Sequence, residues 1–159
     1  MKIISGGQTG VDRAALDVAL KQRISCGGWC PAGRLDESGK IPERYPLKEL
    51  KRGGPEERTS RNVQDSDGTV VIYFHELEGG TAYTVGCCIE DRQPYRLIDA
   101  AKYSPEDAAT LMVSFARDHD NKEEQKEHDI AFESHGFEEL MIHFGPGLGE
   151  HRRLEKLIK

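Results

Sequence analysis

The amino-acid sequence predicts an α/β fold, in which helices cover both faces of a mostly parallel sheet of about five strands. The first observation is that short apolar runs alternate along the chain with amphipathic helical patterns. The second is that three of these runs are followed by glycine-rich turns, near residues 6–10, 79–80 and 145–149. The third is that the run 69–74 is continuously apolar, which is typical of a strand buried on both faces.

The first strand, turn and helix lie at the start of the chain. Residues 3–5 form a short apolar strand, the turn that follows contains Gly6, Gly7 and Gly10, and a helix is predicted over 11–22. Glycines permit positive φ angles and close approach of a ligand, while the first helical turn offers unpaired N–H groups to an anion. We expect a phosphate or similar oxyanion here. A turn that needs glycine only for its geometry is the alternative, since the spacing matches neither the P-loop nor the dinucleotide fingerprint.

A weak strand and a long loop come next. Residues 24–30 are predicted as the second strand, and residues 31–55 as a loop with at most one helical turn near 47–50. Long ordered loops in compact domains are commonly functional. Four side chains could stack on or pair with a flat anionic ligand, although each could equally be an ordinary surface residue: Trp29, Arg34, Arg44 and Tyr45.

The middle of the chain supplies the central strand and a second glycine turn. A helix over 56–64 leads to the strand 69–74. Gly79 and Gly80 then precede a helix that has Thr81 at or near its N-cap.

The last part of the chain contains two more strands. A strand over 95–99 precedes a helix that begins at Ser104-Pro105, and an acidic, solvated insertion is expected at about 118–135. A final strand over 139–144 ends in a turn containing Gly145 and Gly147, and a helix over 150–158 follows.

Length and charge restrict the partners of the protein. The 159 residues fit a single domain spanning 1–159. A net charge of −6 gives no general attraction to nucleic acid or to an anionic membrane. Without a secretory leader or a membrane-spanning run, a cytoplasmic location is expected. The four cysteines and six histidines show no metal-ligand spacing, so no protein-held metal is expected, with a thiolate or metal role for Cys30 as the alternative.

The glycine turns should meet at one edge of the sheet. In a parallel sheet, the loops that leave the carboxyl ends of the strands share an edge, and ligands bind there. The convergence of three glycine turns favours an anionic or nucleotide-like ligand over a purely structural use of the glycines.

Four long motifs carry a resemblance to a known family. In order, they are ISGGQTGVDRAALDVAL, GGWCPAGRLDESGKIPERYPL, RTSRNVQDSDGTVVI and GGTAYT. They resemble the putative molybdenum carrier family, whose members are Rossmann-like and related to the cytokinin-activating phosphoribohydrolases once called lysine-decarboxylase-like. The resemblance implies a Rossmann-like three-layer sandwich and, as ligand, molybdenum cofactor (molybdopterin), a pterin that carries a phosphate.

One departure from the related hydrolases concerns catalysis. Arg58 stands nine residues before Asp67, as an arginine does in those enzymes. Their glycine turn, however, leads to a catalytic acid, whereas here Tyr83-Thr84 follows. Cleavage of an N-glycosidic bond needs a carboxylate, and Glu78 and Asp12 are nearby acids that could act in place of the missing one. We therefore expect a binding protein rather than an enzyme.

The leading hypothesis is a carrier that binds a phosphate-bearing pterin or nucleotide-like ligand at the carboxyl edge of the sheet. The alternatives are a nucleoside 5′-monophosphate phosphoribohydrolase and a nucleotide-ligand sensor module. The expected partner is a small phosphate-bearing molecule, and we expect a homo-oligomer, either a dimer or a tetramer. The residues predicted to line the site are Gly6, Gly7, Gln8, Thr9, Gly10, Asp12, Arg13, Arg34, Arg58, Gly79, Gly80, Thr81, Thr84, Gly145 and Gly147.

Overall fold

The computed structural model describes residues 1–117 and 139–144, which contain a five-stranded central sheet, two small strand pairs and four α-helices. The strands are β1 (Lys2–Ile4), β2 (Cys26–Gly27), β3 (Trp29–Cys30), β4 (Leu35–Asp36), β5 (Gly39–Lys40), β6 (Lys48–Glu49), β7 (Gly68–Tyr73), β8 (Tyr95–Asp99) and β9 (Glu139–Phe144). The helices are α1 (Val11–Gln22), α2 (Pro55–Gln64), α3 (Gly79–Glu90) and α4 (Pro105–Arg117), with one 3-10 turn at Ala32–Arg34.

The central sheet has the strand order β2-β1-β9-β7-β8, and every neighbouring pair is parallel. Ile4 is in register with Gly27 on one side and with Met141 on the other. The last described strand, β9, is therefore the middle strand of the five and lies between β1 and β7. The predicted α/β fold with a parallel five-stranded sheet is confirmed.

Helices cover both faces of this sheet. Ile3 packs with residues of α1 and α4 on one face, whereas Ile4 packs with residues of α2 and α3 on the other. Successive residues of a strand point to opposite faces, so β1 and β9 each contribute to both layers of core. Val70 and Val71 of β7 have no exposed surface, and burying such a side chain stabilises the fold by about 1.5–3 kcal/mol.

The prediction that residues 24–30 form a single second strand is wrong. The segment divides at Gly28 into β2, in the central sheet, and β3, which pairs with β6 in a separate small sheet. Gly28 has φ +129°, and a Cβ atom there would lie 2.3 Å from the carbonyl oxygen of Ser5. Only glycine allows the chain to turn this close to β1.

The prediction of a helical turn near 47–50 is also wrong. Residues Lys48 and Glu49 form β6, because the N–H of Lys48 donates to Gly28 O at 2.8 Å and that of Leu50 donates to Cys30 O at 3.1 Å. The long loop is held instead by a buried cluster, in which Ile41, Tyr45 and Leu47 of the loop pack with Leu16 of α1 and Cys30 of β3.

Several predictions fall outside the described residues: the acidic insertion at 118–135, the turn with Gly145 and Gly147, and the helix over 150–158. Among the helices that are described, none is long and apolar enough to cross a bilayer.

Candidate functional site

The predicted glycine turn at residues 6–10 follows β1, whereas Gly79 and Gly80, predicted as a second turn, are the first two residues of α3. Residues 6–10 connect β1 to α1, and residues 74–78 connect β7 to the helix that begins at Gly79. Because β1 and β7 are both parallel to β9, their carboxyl ends point the same way. The N-termini of α1 and α3 are therefore at one edge, and within the described chain neither has a side-chain cap.

The first turn has a backbone that depends on glycine. Gly10 is the N-cap of α1, with φ 86° and ψ −133°, and Gly7 has φ +71°. The Ser5 hydroxyl donates to Asp12 O at 2.8 Å and accepts from the N–H of Gly7 at 3.3 Å. These bonds fold the turn against the start of α1.

Gly6 is needed for a different reason, the close approach of an arginine. A Cβ atom at Gly6 would lie 1.7 Å from Nη1 of Arg58. The same Nη1 donates to Asp12 Oδ2 at 3.3 Å, and both side chains are only 4% exposed. Arg58 thus links α2 to the first turn of α1 through a buried ion pair.

Arg13 is also paired. Its Nη2 donates to Gly7 O at 2.9 Å and forms an ion pair with Asp36 of β4. Burial works to raise the pKa of Asp36, but hydrogen bonds from Ser38 and then from Arg13 outweigh it and lower the pKa. Asp36 is therefore ionised at neutral pH, and Arg13 joins the β4–β5 hairpin to the glycine turn.

The hairpin places a second carboxylate on the same turn. Glu37 Oε2 accepts from Thr9 Oγ1 at 2.9 Å and from the Thr9 N–H at 3.4 Å. An oxyanion of the chain itself is thus bound by donors of the predicted anion site.

The start of α3 contributes further polar groups. Glu78, the N-cap, is extended, and Gly79 and Gly80 are exposed. The Thr84 hydroxyl donates to Gly80 O at 2.9 Å, so it is used within the helix. Thr81 is 1% exposed, and its hydroxyl oxygen has no hydrogen-bond partner in the described structure.

In the described structure, the side chain of Arg34 does not contact the glycine turn or the start of α3. Its guanidinium donates to four carbonyl oxygens of the long loop, those of Leu47 at 3.0 Å, Pro42 at 3.1 Å, Tyr45 at 3.1 Å and Ile41 at 3.4 Å. The side chain is buried, so its donors are used to hold the loop. We leave Arg34 out of the ligand site.

Arg44 and Tyr45 are likewise engaged with each other. Arg44 Nη2 donates to Tyr45 Oη at 2.6 Å and to Asp17 Oδ1 at 3.1 Å. Trp29 lies elsewhere, beside β6.

Asp99, at the end of β8, is a residue that the sequence reasoning missed. Its Oδ1 accepts from the N–H of His75 at 3.1 Å and from that of Ala101 at 3.0 Å. His75, in the loop after β7, has φ 62°, which few non-glycine residues adopt. Asp99 therefore holds the loop that leads to α3. The sequence feature that could have identified Asp99 is its position as an acidic residue at the carboxyl end of a predicted strand.

Comparisons with known proteins identify the family to which the chain belongs. The model of the cpYpsA family, described as "Circularly permutated YpsA SLOG family", matches residues 3–124. A crystal structure named "Putative molybdenum carrier protein", from Syntrophus aciditrophicus SB, is 39% identical with a TM-score of 0.79, over 99% of this chain and 91% of that chain. The comparison with curated proteins gave no match. The family match includes both the glycine turn and the start of α3, and the chain belongs to the circularly permutated YpsA SLOG family.

Proposed function

We propose that the protein binds a small phosphate-bearing ligand, with the phosphate at the carboxyl ends of β1 and β7. The main support is that buried donor atoms at this edge have no acceptor in the described structure: Gln8 Nε2, Arg13 Nε, Arg58 Nε and the hydroxyl of Thr81. An unsatisfied buried donor costs about 1–3 kcal/mol, so such groups call for an explanation. A phosphate oxygen is an acceptor that would satisfy them.

The charge around the turn indicates how the anion is bound. Arg58 faces Asp12, and Arg13 faces Asp36, so both arginines already have a carboxylate partner. The ligand would therefore depend on N–H and O–H donors and on the positive ends of α1 and α3. In this arrangement Arg58 contributes through Nε while its Nη1 stays on Asp12.

We propose molybdenum cofactor as the ligand, and the similar crystal structure named "Putative molybdenum carrier protein" supports a molybdenum-related ligand. The unsatisfied donors fit the phosphate of such a pterin. Among the described residues no three His, Cys, Asp or Glu side chains come together as metal ligands. The proposed fit therefore concerns the phosphate end of the cofactor.

Thr81→Val tests this site with little risk to the fold. The substitution replaces a hydroxyl without a partner by a methyl group, so the melting temperature should be unchanged or higher. Calorimetric titration with molybdenum cofactor and with nucleoside 5′-monophosphates should show binding to the wild type, weakened about tenfold in the variant if one charged hydrogen bond is lost.

Thr69→Val is the matched control, because Thr69 is an equally buried threonine near the opposite end of β7. Its affinity for the same ligand should equal that of the wild type. Absence of binding by every probe would contradict the proposed function, and an equal loss in both variants would contradict the placement of the phosphate.

Gly10→Ala separates a ligand-contacting turn from a simple bend. A Cβ at Gly10 would meet no protein atom within 4 Å, so the substitution costs stability only through its φ of +86°, by about 1 kcal/mol. If a phosphate lies against this turn, the methyl group should also weaken binding beyond that stability loss. A lower melting temperature with unchanged affinity would oppose the proposal.

Hydrolysis of a nucleoside 5′-monophosphate is a second candidate, supported by the position of Glu78. Asp12 is buried and paired with Arg58, and Glu37 is bound to Thr9, which leaves the exposed Glu78 at the start of α3 as the acid without such a partner in the described structure. A carboxylate there could stabilise an oxocarbenium-like transition state. Chromatography should then detect free base from the wild type and none from Glu78→Gln, whereas a carrier would release no base at all.

A further inference from the structure

A second recess lies away from the glycine turns. It has a volume of about 350 Å³ and is lined by residues that include Lys2, Gly27, Trp29, Lys48 and Asp65. Lys2 and Ile4 are the two ends of β1, and Asp65 follows the end of α2, so this recess lies beside the edge strand β2. The proposed phosphate site is at the carboxyl ends. The volume is at the lower end of the range found for small-molecule pockets.

The aromatic wall of the recess is held rigidly. The N–H of Trp29 donates to Asn62 Oδ1 at 2.7 Å, and Asn62 Nδ2 donates back to Trp29 O at 3.1 Å. The indole Nε1 donates to Asp65 Oδ2 at 2.6 Å. Asn62 has no exposed surface. Backbone and ring are therefore fixed before any ligand arrives, which reduces the entropy cost of binding to the ring.

Two cations lie over this ring, while its N–H is bonded to the Asp65 carboxylate. Lys48 Nζ lies 5.4 Å from the ring centroid, and the Arg61 guanidinium carbon lies 5.9 Å from it. Among the side chains of residues 1–117, neither cation has a carboxylate within 4.0 Å. In a chain of net charge −6, such a group of cations is a local exception.

A purely structural role explains only part of this arrangement. The three hydrogen bonds of Trp29 are enough to fasten β3 to α2. They do not require a lysine over the ring or a recess beside it. Lys48 is exposed, and its long side chain can move its ammonium group from the ring to a bound anion without a change in the backbone.

We propose that this recess binds a small planar anion, an aromatic ring that carries a carboxylate or a phosphate. The ring would stack on Trp29, and the anionic group would pair with Lys48. This site is independent of the proposed phosphate site, because it uses none of the same residues.

The fluorescence of Trp29 reports on this recess directly, since it is the only tryptophan of the chain. Phenyl phosphate is a suitable probe, with phenol and inorganic phosphate as its two halves. Titration with phenyl phosphate should give saturable quenching, and each half alone should bind at least about tenfold more weakly, since each lacks one contact of order 1 kcal/mol or more. Absence of saturable quenching, or equal affinity for either half, would overturn the proposal.

Lys48→Gln tests the contribution of charge, with Lys51→Gln as the matched control. Both lysines are exposed, but Lys51 does not line the recess. Lys48→Gln should weaken phenyl phosphate binding about fivefold, as expected for a partly exposed ion pair, whereas Lys51→Gln should leave it unchanged. Lys48→Arg should keep most of the affinity. Unchanged affinity in Lys48→Gln would contradict the assignment.

Gly10→Ala separates this proposal from the proposed phosphate site. It should leave the quenching by phenyl phosphate intact, because Gly10 is not part of the recess. If quenching is lost in this variant while its fold is preserved, the probe binds at the glycine turn and the recess proposal fails.

Discussion

The Arg58 guanidinium occupies the space beside Gly6 that any larger side chain at position 6 would need. The guanidinium lies against the glycine backbone, where a Cβ atom would be 1.7 Å from Nη1. The same guanidinium pairs with the buried Asp12. A single methyl group would therefore disturb packing and a buried charge pair together.

We expect Gly6→Ala to destabilise the protein by about 3 kcal/mol or more, because displaced charges in the interior lose their partners. Urea unfolding would measure this loss. Gly86→Ala is the control, since it lies within α3 with open space around its Cβ and should stabilise the fold by about 0.5–1 kcal/mol. Similar behaviour of the two variants would show that Arg58 can move freely.

At the scale of elements, the β4–β5 hairpin is attached to the glycine turn by two acidic side chains. Asp36 pairs with Arg13, and Glu37 accepts from the N–H and the hydroxyl of Thr9. The Glu37 carboxylate uses donors that a ligand phosphate would also need. Hairpin and ligand should therefore compete for the turn.

Glu37→Gln should increase affinity for the phosphate-bearing ligand several-fold, about the effect of removing one exposed like charge. Calorimetric titration of the wild type and the variant measures the change. Glu106→Gln, in the first turn of α4, is a control that should have no effect. Weaker binding in Glu37→Gln would mean that the glutamate helps to hold the ligand.

The loop between β7 and α3 depends on the ionised form of Asp99. Burial works to raise its pKa, but hydrogen bonds from the N–H groups of His75 and Ala101 outweigh it, and the pKa is lowered. A lowered pKa in the folded state contributes stability that is complete above the unfolded value of about 3.9 and is lost as the pH falls through the folded value.

Asp99→Asn should therefore melt at a lower temperature than the wild type at neutral pH, and the difference should shrink as the pH drops below about 4. Thermal melts between neutral and acidic pH test this. Asp107→Asn, in the first turn of α4, provides the comparison for a carboxylate on another element. A constant difference at all pH values would show that the ionised form of Asp99 is not involved.

For the whole molecule, the cysteines report on the integrity of the core. Burial raises the pKa of Cys26, Cys30 and Cys87, and it raises that of Cys88 to about 11. Cys30 and Cys88 have no exposed surface. Because the thiolate is the reactive form, these features oppose a thiolate role for Cys30.

A disulfide reagent at mildly alkaline pH should react slowly with Cys30 and Cys88 in the native protein, at a rate limited by opening of the core. All four cysteines should react at once in guanidinium chloride. Mass spectrometry of the labelled peptides identifies the positions. Rapid labelling of Cys30 under native conditions would revive the alternative of a reactive or metal-binding thiol.

The sequence by itself determined the class of fold and the glycine turn at residues 6–10. Alternating helical and apolar patterns are local properties, and a continuous run such as 69–74 is typical of a buried strand in a parallel sheet. The helix predicted over 56–64 is confirmed as α2, with Pro55 as its first residue. These features depend on residues that are neighbours in the chain, so they can be predicted without the fold.

Only the tertiary structure decided the strand order and the partners of the charged residues. β9 lies between β1 and β7, although it follows them in the chain. Arg34, a predicted ligand residue, donates to loop carbonyls, while Arg58 lies against Gly6 and pairs with Asp12. Such partners are distant in sequence. The identity of a charged residue does not specify which acceptor will lie beside it once the chain has folded. Their roles follow from packing, which periodicity and composition do not encode.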